Sequence, residues 1–178
     1  QGANAMPESS EEQAELIRNL ANPACYGHAV GSVQHMETHI SHVLLSGEYA
    51  YKIKKPLDLG FLDFSTLDKR RHVCQEEVRL NRRLAPAYYL GVVPVTGSPA
   101  APQIDGTGEA IEYAVKMRQF PPDATLDRLD AQGRLTATHV EAIATTIASF
   151  HLQACARAKG ESPWGDPQHI GQPVAQNF

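Results

Sequence analysis

The chain has 178 residues, 42% hydrophobic and 20% charged, which is the composition of an ordinary folded protein of about one domain. Sixteen Lys and Arg against twenty Asp and Glu give a formal net charge of −4. That argues against a nucleic-acid-binding domain, which carries a basic excess, and no run of about 18 apolar residues suggests a membrane span. No secretory signal is visible, and the three cysteines, Cys25, Cys74 and Cys155, stand far apart without a C-x-x-C. A cytoplasmic protein without a disulfide framework is therefore expected. Gln1 to Ala5 reads as a cloning remnant, with Met6 as the native start.

In chain order, residues 8–21 read as a helix. Ser10 and Gln13 form a capping box, Ala14, Ile17, Leu20 and Ala21 give one face, and Pro23 stops it. Strands over Thr38–Leu45 and Tyr49–Lys54 follow, joined by a hairpin turn at 46–48. Ser65, with Asp68 three positions on, opens the strongest helix, which runs to Leu84, about 28 Å. Shorter strands near Gly91–Val95 and Ile111–Met117 flank a Gly/Pro-rich loop. Pro121-Pro122 breaks the chain. A short helix over Thr125–Ala131 ends at Gly133. A long helix capped by Thr136 or Thr138 reaches about Ala158, with Val140, Ile143, Ala144, Ile147, His151 and Ala154 on one stripe. The expected fold is α+β: an antiparallel sheet with one long packed helix over 6–120, then the first helices of a second region over 121–178.

Along the second strand, Tyr49, Tyr51 and Ile53 point to one face, and Ala50, Lys52 and Lys54 to the other. A small residue followed two places on by lysine leaves a flat floor with a cation beyond it. An adenine could lie over Ala50 with Lys52 on its phosphates. The same lysines would equally suit a solvated strand edge that deters pairing. On the long helix Val73, Leu80 and Leu84 share a face, and Glu77 falls inside that stripe. A carboxylate facing a core needs a cation, and Lys52 is the nearest preceding candidate, unless Glu77 skirts the stripe and reaches water. Glu76 groups instead with His72, Arg79 and Arg83 on a solvated face.

These residues resemble the small lobe of the kinase-like phosphotransferases, with Tyr49-Ala50-Tyr51-Lys52 similar to the V-A-I-K strand and Glu77 to its helix partner. The wording THIS…YAYKIKKP…GFLDFSTLDKRRHVCQEEVRLNRRLAP…EYAVKMRQFP, over about Val33 to Ala158, is similar to a bacterial subgroup of the aminoglycoside phosphotransferase-like family. In that subgroup the domain is typically fused to a C-terminal P-loop ATPase domain. The resemblance implies ATP and Mg2+ as cofactors and a small-molecule acceptor of unknown identity. It implies that Lys52 and Glu77 position the phosphates, that Met117 borders the adenine pocket, and that the backbone of Arg118, Gln119 and Phe120 reads adenine. It also places residues 37–41, with the Thr38 and Ser41 hydroxyls, where a loop covers the phosphates, although no G-x-G-x-x-G is present.

The family's H-G-D-x-H-x-x-N loop and later aspartate do not occur, and Trp164-Gly165-Asp166 shares only one step with it. The chain thus reads as a fragment holding the nucleotide-binding lobe and the start of a helical lobe, with the catalytic residues and Mg2+ ligands outside it. A degenerate nucleotide-sensing or partner-binding module is the alternative. An incomplete helical lobe would expose the 140–154 stripe and favour pairing with a second copy. His35, His39 and His42 are set aside as a metal site because 39 and 42 alternate across a strand.

Overall fold

The computed structural model describes residues 10–154, with 167, 171 and 175. Helix α1 spans Ser10–Asn19 and buries Gln13, Leu16 and Ile17, with Leu20 just beyond. Ala14 and Ala21 are exposed, so the buried face is rotated from the expected one. The larger aliphatic side chains win because each removes more apolar area from water. Gln13 does not close a capping box; its side chain crosses the core. A 3-10 turn over Pro23–Cys25 follows, capped by the Asn22 side chain, which accepts from the Ala24 amide at 3.0 Å.

Three strands, β1 (Val33–Glu37), β2 (Ser41–Ser46) and β3 (Tyr49–Lys54), form an antiparallel meander. The strand expected over 38–45 therefore begins later. The Thr38 hydroxyl accepts from the Ser41 amide and donates to the Ser41 carbonyl, both at 3.0 Å, and so closes a turn. Gly47, at φ +59, supplies the left-handed backbone of the Ser46-to-Tyr49 turn.

Helix α2 spans Leu67–Asn81. Its cap is Thr66, whose side chain accepts from the Lys69 amide, while the Ser65 hydroxyl is taken by Asp63. It ends before Leu84. The Arg82 guanidinium donates to the Tyr89 carbonyl at 2.7 Å and to that of Leu90, drawing the chain into the next strand. That strand is β4 (Tyr89–Ser98), followed by β5 (Ala101–Ile104) and β6 (Ala110–Arg118). The segment expected as a loop thus holds β5, an edge strand that tolerates Pro102.

The strand order is β1-β2-β3-β6-β4-β5, antiparallel throughout. On one face, Leu16, Leu20 and Tyr26 pack with Leu44, Tyr51, Ile53, Val95 and Ile104. In a second cluster, Cys74 and Val78 of α2 pack on Val115, flanked by Tyr89, Val92 and Met117. The buried stripe of α2 is Leu67, Arg70, Cys74 and Val78, at spacings of three and four. Leu80 and Leu84 of the expected stripe are exposed, and Val73 is half-buried.

Beyond the last β3–β6 pair, Ile53 with Ala114, three elements meet on one carboxylate. Glu112 accepts from Arg70 Nε at 2.9 Å, from Gln13 Nε2 at 3.0 Å and from the Tyr113 amide at 3.0 Å. Gln13 Nε2 also donates to the Lys54 carbonyl at 2.8 Å, and an Arg70 terminal nitrogen donates to the Phe64 carbonyl at 3.0 Å. Burial pushes the Glu112 carboxyl up, against the pull of Arg70.

The chain divides into two compact units, 1–122 and 123–178. In the second, α3 (Leu126–Ala131) precedes Gly133, at φ +64, and α4 covers Ala137–Ala154. Within this unit Val140, Ile143, Ile147 and His151 are exposed. The helix expected beyond 154, the Trp164–Asp166 step and Cys155 lie outside the described residues. Among the described residues no helix is long and apolar enough to cross a membrane.

Candidate functional site

Alternation along β3 places Ala50, Lys52 and Lys54 on the face opposite Tyr51 and Ile53. Helix α2 lies against β6 and β4 and carries Glu77 to that face. Lys52 Nζ donates to Glu77 Oε1 at 2.9 Å. Lys54 Nζ takes the other oxygen, Oε2. The expected pair is present, and a second lysine completes it.

The three side chains differ in depth. Lys54 is 4% exposed and Glu77 12%, whereas Lys52 is 27% exposed. The Lys54 ammonium also stands 5.6 Å from the centroid of the Phe64 ring, within reach of a cation–π attraction. Burial alone would push the Glu77 carboxyl up, but the hydrogen bonds from Lys54 and then Lys52 outweigh it and hold the carboxyl below its ordinary range. Burial pushes the neighbouring Cys74 thiol up to about 12, so it stays protonated and inert. Two ammoniums on one carboxylate leave one net positive charge, and the more exposed lysine is the one that can offer it to an anion.

The other expected residues divide into two groups. Ala50 is buried and pairs in register with Met117, which packs on the Cys74–Val78–Val115 cluster. These two form a small apolar floor on the same strands as Lys52. The Arg118 amide donates to the Tyr88 carbonyl at 2.8 Å and the Gln119 amide to the Glu48 carbonyl at 2.9 Å, so neither is open to a base. Gln119 Nε2 donates to the Tyr49 carbonyl at 3.0 Å. The Phe120 amide has no hydrogen bond among the described residues. Its ring is 52% exposed and meets Tyr88 edge-on at 5.9 Å.

Thr38 is exposed but its hydroxyl is spent on its own turn, and Ser41 is fully buried with its hydroxyl unpartnered, so Ser41 faces no open surface. His35 Nε2 lies 3.0 Å from His42 Nδ1, with His39 apart in the turn. Burial and then the His35 charge push the His42 imidazole down. Among the described residues no group of three or more metal-ligating side chains converges. Arg79 and Glu76 form an exposed ion pair at 2.6 Å on the solvated face, as expected.

Arg70 and Glu112 were not singled out in the sequence, Gln13 was read only as a capping residue, and Lys54 was given no partner. For Lys54 the signal was available, because it shares the face of Lys52 two residues earlier. Arg70 and Glu112 are 42 residues apart, and no local spacing joins them.

The Glu77 geometry sets a pH dependence. A carboxyl whose folded value is depressed stabilises fully above its ordinary value of 4.5 and loses that contribution as pH falls through the depressed one. The stability gap between the parent chain and Glu77→Gln is therefore expected to be constant from about pH 7 to about pH 5. It should then shrink progressively below that range. Urea midpoints across this range give the measurement; a gap that widens on acidification would contradict the ion-paired state.

The chain matches uncharacterized proteins of Mycobacterium bovis and of two strains of Mycobacterium tuberculosis, each at 34% identity over 129 residues. Each match covers 70% of this chain and 24% of the relative, so the chain spans about a quarter of the length of the curated relatives it matches. No family model matches the chain. No solved structure matches it.

Proposed function

We propose that the first unit is the ATP-binding lobe of a small-molecule phosphotransferase, resembling the aminoglycoside phosphotransferase-like family. One observation carries this reading: Lys52, the more exposed of two lysines on one strand, is fixed at 2.9 Å by a glutamate from the packed helix. Such a pair places an ammonium on the α- and β-phosphates of a nucleotide. Ala50 and Met117 supply the floor for the purine, and the Phe120 amide supplies one donor to its edge. In the whole protein the γ-phosphoryl group would pass to a hydroxyl of the acceptor. The groups that orient that hydroxyl and hold Mg2+ belong, on this reading, outside the described residues.

A second reading has its own support. The β1–β2 turn has no glycine and spends the Thr38 hydroxyl internally, and the Arg118 and Gln119 amides are engaged. These features suit a degenerate lobe that senses nucleotide or binds a partner. The test is calorimetric titration of the chain with ATP, then a phosphoryl-transfer assay on the full-length protein. Saturable binding with adenine selectivity is expected, and the absence of binding at millimolar ATP would overturn the proposal. Binding without transfer to any hydroxyl compound would favour the second reading.

A further inference from the structure

Lys54 cannot itself reach a ligand. Its side chain is 4% exposed, its ammonium is closed in by Glu77 Oε2 and the Phe64 ring, and its carbonyl accepts from Gln13. A buried lysine is a costly way to fill a core, and an apolar side chain of similar length usually serves stability as well or better. What it supplies is geometry. With Oε2 held from below, the carboxylate plane of Glu77 cannot turn away, and Oε1 stays directed at Lys52. Two turns of helix earlier, Arg70 pins the same helix to Glu112, both side chains being almost fully buried. Helix α2 is therefore tied down at two points on one face.

We propose that Lys54 is a positioning residue that locks Glu77 and so presents the Lys52 ammonium permanently to a nucleotide phosphate, with no swing of α2. The inference rests on the nucleotide-lobe reading. In related chemistry the lysine–glutamate pair must be assembled before phosphoryl transfer, and helix positioning controls it; here Lys54 holds the second oxygen of the glutamate while the first meets Lys52. The charged and titratable groups around Glu77 are Lys52 and Lys54 from β3, Tyr89 from β4 and Cys74 from its own helix. Burial, then the Glu77 charge, pushes the Tyr89 phenol up, and burial does the same to the Cys74 thiol, so both stay neutral in the acidic range. Burial pushes the Glu77 carboxyl up there, and among these neighbours the two lysines outweigh it and hold the carboxyl down.

The test pairs two measurements on the parent chain, Lys54→Met and Lys54→Arg: a carbon-13 carboxyl titration of Glu77, and a calorimetric titration with ATP. Lys54→Met should raise the Glu77 midpoint and weaken ATP about tenfold, the loss of roughly one charged contact. Lys54→Arg should restore both. Should Lys54→Met fail to fold, Lys54→Gln takes its place. An unmoved Glu77 titration overturns the anchoring role whether or not ATP binds. A moved titration with unchanged ATP affinity overturns the link to Lys52. A moved titration in a parent chain that binds no ATP upholds the anchor and retires the nucleotide reading.

Discussion

Arg70→Met, with Glu112 left in place, is expected to lower the unfolding free energy by about 3–5 kcal/mol. The Glu112 carboxylate is fully buried, and among the described residues Arg70 is its only cationic partner. Without that partner it keeps only the Gln13 amide and the Tyr113 N–H, too little to hold a bare charge away from water. Burial already pushes this carboxyl up, so in the variant it would take up a proton. The variant should then be more stable at acidic than at neutral pH, opposite to the trend set by Glu77. Replacing both partners, Arg70→Met with Glu112→Leu, should recover most of the loss, because an apolar pair of similar volume leaves no orphaned charge. Urea unfolding of the single and double variants decides the matter; a single variant within about 1 kcal/mol of the parent would show that the contact is not the bolt described here.

Lys52→Ala is expected to remove ATP-dependent thermal stabilisation while leaving the fold in place. The structure separates these two effects. Glu77 keeps its second oxygen on Lys54, so losing Lys52 does not strand a buried carboxylate. The stability loss should stay under about 2 kcal/mol, the scale of one charge-assisted hydrogen bond. The ammonium that would meet the phosphates, however, is gone. A melting series with and without ATP reads both quantities, and an unchanged ligand-induced shift in the variant would remove Lys52 from the proposed site.

The site was more legible in the sequence than the helix that carries it. Period-two alternation along Tyr49–Lys54 fixed which face Lys52 takes, and the strand is where that alternation placed it. Glu77 was read as inward from Val73, Leu80 and Leu84, yet two of those three are exposed. The packing side runs through Leu67, Arg70, Cys74 and Val78, and Arg70, a charged residue type rarely buried, interrupts the apolar pattern there. Glu77 borders both stripes, so the inward reading survived its own argument. Strands β1 and β5 were missed because edge strands need only one neighbour. The sequence VQHME is mostly polar, and APQI holds a proline in a glycine-rich stretch. Arg70–Glu112 and Gln13–Glu112 join residues 42 and 99 positions apart. Pairing at that range is a property of topology, and local pattern carries no trace of it.

Helix α1 lies outside the sheet and precedes its first strand, yet with Leu20 just past its end it supplies Leu16 and Ile17 to the main hydrophobic cluster and Gln13 to the polar bolt. An excised form starting at Val33 would strip one wall from Tyr51, Ile53 and Ile104, and would leave the Lys54 carbonyl without its glutamine donor. A boundary drawn at Val33 would thus cut through the packed unit, and the shortened chain is expected to unfold at lower urea than the parent.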